Sequence, residues 1–205
     1  MLKNQIEIDE KYLNYSHKGT KYKGIKGKKR GMPAEKRGLS DEQVCLLSAV
    51  ERQGLSVLRS YNLAKPGSED VLHLSKSIQK HSYVWTDGLA SYSDLIKEKE
   101  CRHKIVKDYK EYDQVNHLNE VNSFHERIEM QYRRYRGVAT KYINRYASLF
   151  NMQRECRDMD QTESLLYIRK RLRKKCIYFY IRQLSHNSVF DAVPGRFVKV
   201  QQIAS

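Results

Sequence analysis

His81–Gly88 (HSYVWTDG) is the stretch on which the fold turns. Its aromatic and β-branched run reads as a short strand, which ends on a carboxylate, Asp87, followed at once by a glycine. Gln5–Leu13 (QIEIDEKYL) has the same form: Ile6 and Ile8 make the apolar run and Asp9 closes it. Between the two, Gln43–Glu51 and Leu55–Leu63 are apolar segments joined by Arg52-Gln53-Gly54, the pattern of a β-hairpin with a Gly-containing turn. Pro66-Gly67-Ser68 breaks the chain. Ser68 then predicts the N-cap of a helix reaching about Ile78, with Glu69 and Asp70 in its first turn. Beyond Asp87 the pattern predicts a short helix over Ala90–Glu98 and a strand over His103–Lys107. From Val115 the period turns helical: Leu118, Val121, His125, Ile128, Tyr132 and Tyr135 recur at spacings of three and four. A second helix is expected from Thr140 to about Phe150. Strands interleaved with helices in this order imply an α/β sheet covered by helices.

Charge and composition narrow the partners. The chain has 205 residues with 39 Lys+Arg against 24 Asp+Glu, a net charge of +15 that draws polyanions, nucleic acid first among them. Nine of those basic residues lie between His17 and Gly38, among them Lys26, Lys28, Lys29, Arg30, Lys36 and Arg37, against the single acid Glu35 and amid five glycines. This reads as a basic loop inserted over residues 18–38 and a DNA contact. Arg133, Arg134 and Arg136 add a second basic group at the end of the long helix. With 40% hydrophobic residues the chain can bury a core, which excludes wholesale disorder. The four cysteines are far apart with no CxxC pair, which argues against a zinc ribbon or a disulfide scaffold within this chain. The first ten residues (MLKNQIEIDE) hold no apolar signal segment, and no apolar run approaches the ~18 residues of a membrane span. A cytoplasmic, nucleoid-associated protein with no membrane partner is expected.

Two acids that each close a short strand can converge if those strands are neighbours. Carboxylates a few ångströms apart repel unless a cation lies between them, and oxygen-only ligation suits Mg²⁺ or Mn²⁺. Two such ions can serve an in-line attack on phosphate. An acid at a strand end is also a common turn or cap residue. Asn122 flanks the apolar stripe of the long helix, where a side-chain oxygen can reach a metal held by Asp9 and Asp87. Glu126 and Glu129 share that flank, so helix geometry by itself leaves the third ligand open.

Separated segments then agree with one family in order and spacing: Ile8, Asp9, Glu10 and Tyr12, the basic loop, Lys36–Arg52 (KRGLSDEQVCLLSAVER), Tyr83–Tyr92 (YVWTDGLASY), His117–Ile128 (HLNEVNSFHERI) and Arg136–Phe150 (RGVATKYINRYASLF). Together they resemble the ISXO-like insertion-sequence transposases. The resemblance implies an RNase H-like mixed sheet flanked by helices and a catalytic domain over residues 1–155; the pattern of Glu163–Leu184, helical in its first half, reads as a helical C-terminal appendage over 156–205. It implies a DNA cleavage and strand-transfer enzyme using Mg²⁺ or Mn²⁺, two ions in number, with DNA as partner and a homo-oligomer in the synaptic complex. Asp9 and Asp87 match the first two acidic ligands, and Asn122 the third, where much of the class carries Glu. Glu129 stands where members of the branch carry Lys, and the zinc-ribbon region that precedes the catalytic part in such proteins is expected to be missing. The competing expectations are a catalytically impaired DNA-binding remnant and a general RNase H-like nuclease.

Overall fold

The structure, a computed structural model, describes residues 1–18 and 43–174. Five strands form one sheet: β1 (Gln5–Asn14), β2 (Gln43–Glu51), β3 (Ser56–Arg59), β4 (Tyr83–Thr86) and β5 (Arg102–Ile105), in the spatial order β3-β2-β1-β4-β5. β2 runs antiparallel to both of its neighbours, whereas β1, β4 and β5 are mutually parallel. That is the RNase H-like mixed sheet. The chain makes its hairpins first and then crosses over twice through helices, because parallel neighbours cannot be joined by a tight turn.

Helices cover both faces. α1 (Ser68–Ser75) and α2 (Tyr92–Glu98) pack one face over Ile6, Ile8, Leu47, Ala49 and Val84. α3 (Asn119–Arg134) and α4 (Ile143–Glu155) pack the other over Val44, Leu46, Val50 and Trp85. β1 feeds both layers by its pleat, with Ile6 and Ile8 on the α1 side and Glu7 and Asp9 on the α3 side. α5 (Gln161–Lys174) follows and is tied back to α4 where Tyr167 Oη and Arg171 Nη1 both donate to Glu155 Oε2 at 2.7 Å. No helix of the described residues is long and apolar enough to cross a membrane.

Several boundaries differ from the sequence expectation. Asp9 does not end β1, which runs on to Asn14 against β2 because Tyr12 and Leu13 still find partners in Cys45 and Val44. The second arm of the hairpin is a strand only over Ser56–Arg59 and touches β2 again through a single bridge at Leu63. Gly67 rather than Ser68 caps α1: its backbone N–H donates to Asp70 Oδ2 at 2.9 Å. α1 ends at Ser75, short of Ile78, and α2 starts at Tyr92 rather than Ala90. Thr140–Tyr142 is a 3-10 turn ahead of α4. Along α3 the stripe buries Leu118, Val121, His125 and Ile128 together with Phe124, while Tyr135 lies exposed at the helix end.

The seating of α3 on the sheet rests on a polar lock that apolar periodicity does not reveal. Glu7 is fully buried; its Oε1 accepts from Arg52 Nε at 2.8 Å and its Oε2 from the Val121 backbone N–H, in the first turn of α3, at 3.0 Å. A carboxylate suits that place, since the first N–H groups of a helix have no partner within it. Arg52 also donates to the carbonyls of Val115 and His117 and stacks 4.0 Å from the Trp85 ring centre. One arginine thus joins the hairpin turn, β1, β4 and the entry to α3.

Candidate metal centre and nucleic-acid interface

Parallel pairing of β1 with β4 stops at Ile8 opposite Thr86. Asp9 and Asp87 are the next residue on each strand, so continuing the register sets them side by side and on one face. Past this point β1 keeps its partner β2 on one edge and, among the described residues, has no strand on the other, which opens a notch where β4 leaves. The departure is a forced turn. Gly88 sits at φ +93, and a Cβ there would stand 2.7 Å from Ile105 Cγ2. Asp87 Oδ1 accepts from the Leu89 N–H at 3.1 Å, and Thr86 Oγ1 accepts from the Gly88 N–H at 3.1 Å while bonded to His103 Nε2 at 2.8 Å.

The notch gathers three carboxylates. One oxygen from each of Asp9, Glu10 and Asp87 lies within 4.8 Å of the others, and all three groups are half-buried. Glu10 is the member that sequence reading left out. The pleat sends it to the face opposite Asp9, and only its longer side chain returns it to the notch, where buried Tyr92 donates its hydroxyl to Glu10 Oε1. Its sequence signals are adjacency to Asp9 and membership of the Ile8-Asp9-Glu10 segment that carries the family resemblance.

Burial pushes the Asp9 carboxyl up to about 6, reinforced by the charge of Asp87. Burial likewise pushes Glu10 up to about 7, reinforced by Asp87 and Asp9. The neighbouring Cys45 thiol is pushed up to about 12 by the same burial and by Glu10, so it stays protonated. The donor set is three carboxylates with no thiolate, crowded enough that their charge is costly without a cation. That chemistry fits a hard divalent ion such as Mg²⁺ or Mn²⁺.

α3 runs beside β1 in the same direction, and three contacts record the register: Val121 N–H on Glu7, His125 beside Asp9, and Glu129 on Lys11. His125 is buried, bonded through Nε2 to Ser48 Oγ at 2.7 Å, with Nδ1 3.6 Å from Asp9 Oδ2. Burial pushes its imidazole down to about 3, so the ring is neutral and the 3.6 Å approach is neither an ion pair nor a hydrogen bond. In the sequence His125 stands out only as a member of the apolar stripe. Asn122 falls between the first two register points along the helix, exposed, with Nδ2 donating to Tyr112 Oη at 3.4 Å. Glu126, one turn later, is exposed as well.

The basic groups line up farther along the same strand and helix. Lys11 Nζ donates to Glu129 Oε2 at 2.8 Å, and Arg133 Nη2 to Glu129 Oε1 at 2.7 Å. Those two cations hold the Glu129 carboxyl below the usual carboxylate range. α3 ends in a left-handed turn at Arg136 (φ 55) and Gly137 (φ 87), and Lys18 Nζ donates to the carbonyls of Tyr135, Arg136 and Gly137 at 2.8 to 3.4 Å. A cation suits a helix C-terminus. The first lysine of the basic insertion is therefore anchored beside Arg133, Arg134 and Arg136, all exposed. Lys26, Lys28, Lys29, Arg30, Lys36 and Arg37 lie outside the described residues.

Comparison with known proteins adds a family. A family model described as "ISXO2-like transposase domain" matches residues 1–155. No curated protein sequence matches the chain. Among solved structures, the cryo-EM structure of the simian T-cell lymphotropic virus intasome in complex with PP2A regulatory subunit B56 gamma is similar at 10% identity and a TM-score of 0.40. The likeness covers 100% of this chain and 60% of that one.

Proposed function

The chain belongs to the ISXO2-like transposase domain family, and from that premise we propose that it is the catalytic part of a transposase, cleaving DNA at the ends of an insertion sequence and joining the freed 3′-hydroxyl to target DNA. The observation that carries this reading is the meeting of Asp9, Glu10 and Asp87 at the point where β4 parts from β1. Asp9 and Asp87 would hold one or two Mg²⁺ or Mn²⁺ ions, with the carbonyl oxygen of Asn122 completing a shell. When bound, such ions supply charge stabilisation at the phosphate and a nucleophile at neutral pH. The chain's own residues do the rest. The Gly88 turn and the Leu89 N–H aim Asp87, buried Tyr92 holds Glu10, and the cations along α3 and the basic insertion bind the DNA backbone without reading its sequence. Residues 156–205 would be an appendage to a catalytic domain spanning 1–155. The partners are then transposon ends, target DNA and further copies of this chain in a synaptic complex on the nucleoid.

The test is nicking and strand joining by the purified protein on a supercoiled plasmid with Mg²⁺ or Mn²⁺. Asp87→Asn is expected to abolish nicking with DNA affinity retained, and Asn122→Ala to do the same. If Glu126→Gln is the dead variant and Asn122→Ala stays active, the third ligand is Glu126. If the unaltered protein binds DNA and never nicks it with either ion, the chain is a DNA-binding remnant and the catalytic reading fails.

A further inference from the structure

We propose that Lys11 and Arg133 form a binding site for a DNA backbone phosphate beside the acidic notch, and that the Glu129 carboxylate occupies this site in the free protein as a built-in competitor. The proposal rests on the reading that DNA passes the notch, and adds to it how entry is regulated.

Strand alternation puts Lys11 on the same face as Asp9 and two residues farther along, about 7 Å away. That is roughly two base-pair rises along the axis of a duplex, at about 3.4 Å each. Lys11 Nζ and Arg133 Nη2 converge on the two oxygens of a single carboxylate, at 2.8 and 2.7 Å. Two cations that clasp one carboxylate from different elements have the spacing and polarity to clasp two non-bridging oxygens of a phosphodiester, because carboxylate and phosphate present similar oxygen pairs to such donors. The site is open to solvent on the helix side: Glu129 is 38% exposed, Arg133 77% and Lys11 27%. Glu129 is moreover the acid that touches both cations, between the notch and the anchored start of the basic stretch at Lys18. With Glu129 in place the trio carries one net positive charge; with a neutral side chain there it carries two. DNA therefore has to displace the carboxylate before it can use both cations. Such a competitor weakens non-productive binding on bulk DNA while leaving the cations aligned for a strand held by other groups.

The experiment is equilibrium binding of the full chain to a non-specific duplex oligonucleotide, without divalent metal, across a salt series. Glu129→Gln is expected to bind more tightly at low salt and to steepen the dependence of log K on log salt by about 0.9 for each further phosphate that the protein neutralises. Between about 50 and 200 mM salt, each such phosphate corresponds to an additional loss of affinity of about threefold. Adding Lys11→Met to Glu129→Gln should remove part of that increase, whereas Glu126→Gln, which removes an acid outside the trio, should steepen the slope less than Glu129→Gln. An unchanged slope, weaker binding, or an equal response from Glu126→Gln overturns the proposal. Circular dichroism of each variant guards against unfolding. Because cleavage is not read, failure of the catalytic reading and failure of this proposal are distinguishable: a protein that never nicks DNA can still show the steeper slope, and an active nuclease can fail to show it.

Discussion

Asp9 is a carboxylate kept half-buried beside two others, and its protonation has a sign that can be checked. Its folded value, about 6, lies above the ordinary 3.8, so between those values the folded state binds the proton that the unfolded chain releases. Stability contributed by the group is present at low pH and is lost as pH rises through the folded value. Asp9→Asn removes the cost of the charged form. In the metal-free protein the variant should be more stable than the unaltered chain above about pH 6, by up to about 3 kcal/mol, and equal to it below about pH 4. Urea denaturation of both proteins on either side of that window measures this; an Asp9→Asn protein less stable at about pH 8 would show that Asp9 is compensated by the protein rather than waiting for a cation. Glu10 should behave alike for the same cause, since its carboxyl is raised to about 7. His125 belongs to the opposite case: burial holds it neutral over this whole range, so it does not blur the comparison.

At the scale of elements, the position of α3 decides whether Asn122 and Glu129 face the notch and the basic surface. Apolar burial presses α3 onto the sheet, but apolar side chains permit sliding, and the lock of Glu7, Arg52 and the Val121 N–H sets the register. Arg52→Ala leaves the Glu7 carboxylate buried without its main partner, which typically costs about 3–5 kcal/mol. The loss should appear as a lower urea midpoint, and the double variant Glu7→Gln/Arg52→Ala should be less destabilised than the sum of its single changes, because the two share one interaction. Strict additivity would show that the pair does not set the register. Nicking should fall with the lock even though neither residue reaches the notch.

At the scale of the whole molecule, the acidic notch and the cations around Lys18 lie at different points along β1 and α3. The acids collect where β4 leaves β1, and cations follow along β1 and α3 to Lys18, where the basic insertion begins. The insertion holds nine of the 39 basic residues in about a tenth of the chain. Replacing Lys26, Lys28, Lys29 and Arg30 by Ser should flatten the salt dependence of DNA binding by up to about 0.9 for each phosphate left unneutralised. A slope that does not move would assign the insertion to solvent. The anchoring of Lys18 on the α3 C-terminus brings the residue at which the basic stretch starts to the end of the helix that carries Arg133, Arg134 and Arg136, more than 100 residues away in the chain.

Alternating and helical hydrophobicity made the element order and the α/β class legible in the sequence alone, because which face of an element is buried is a local property of its residues. The shared form of IEID and VWTD was legible for the same reason: in each an acid follows an apolar run, which made Asp9 and Asp87 candidates for one site if their strands were neighbours. Strand order, and with it the meeting of Asp9 with Asp87, was decided only by tertiary packing, since β1 could be given its neighbours in several ways that satisfy the same pattern. Glu10 enters the notch against its pleat, and Glu7 is buried against its charge. Both depend on partners supplied from distant segments, Tyr92 in one case and Arg52 with Val121 in the other. The reversed charge at Glu129 could be read along the chain, but its engagement by Lys11 could not, because 118 residues separate the pair and only the packing of α3 along β1 brings them within 2.8 Å.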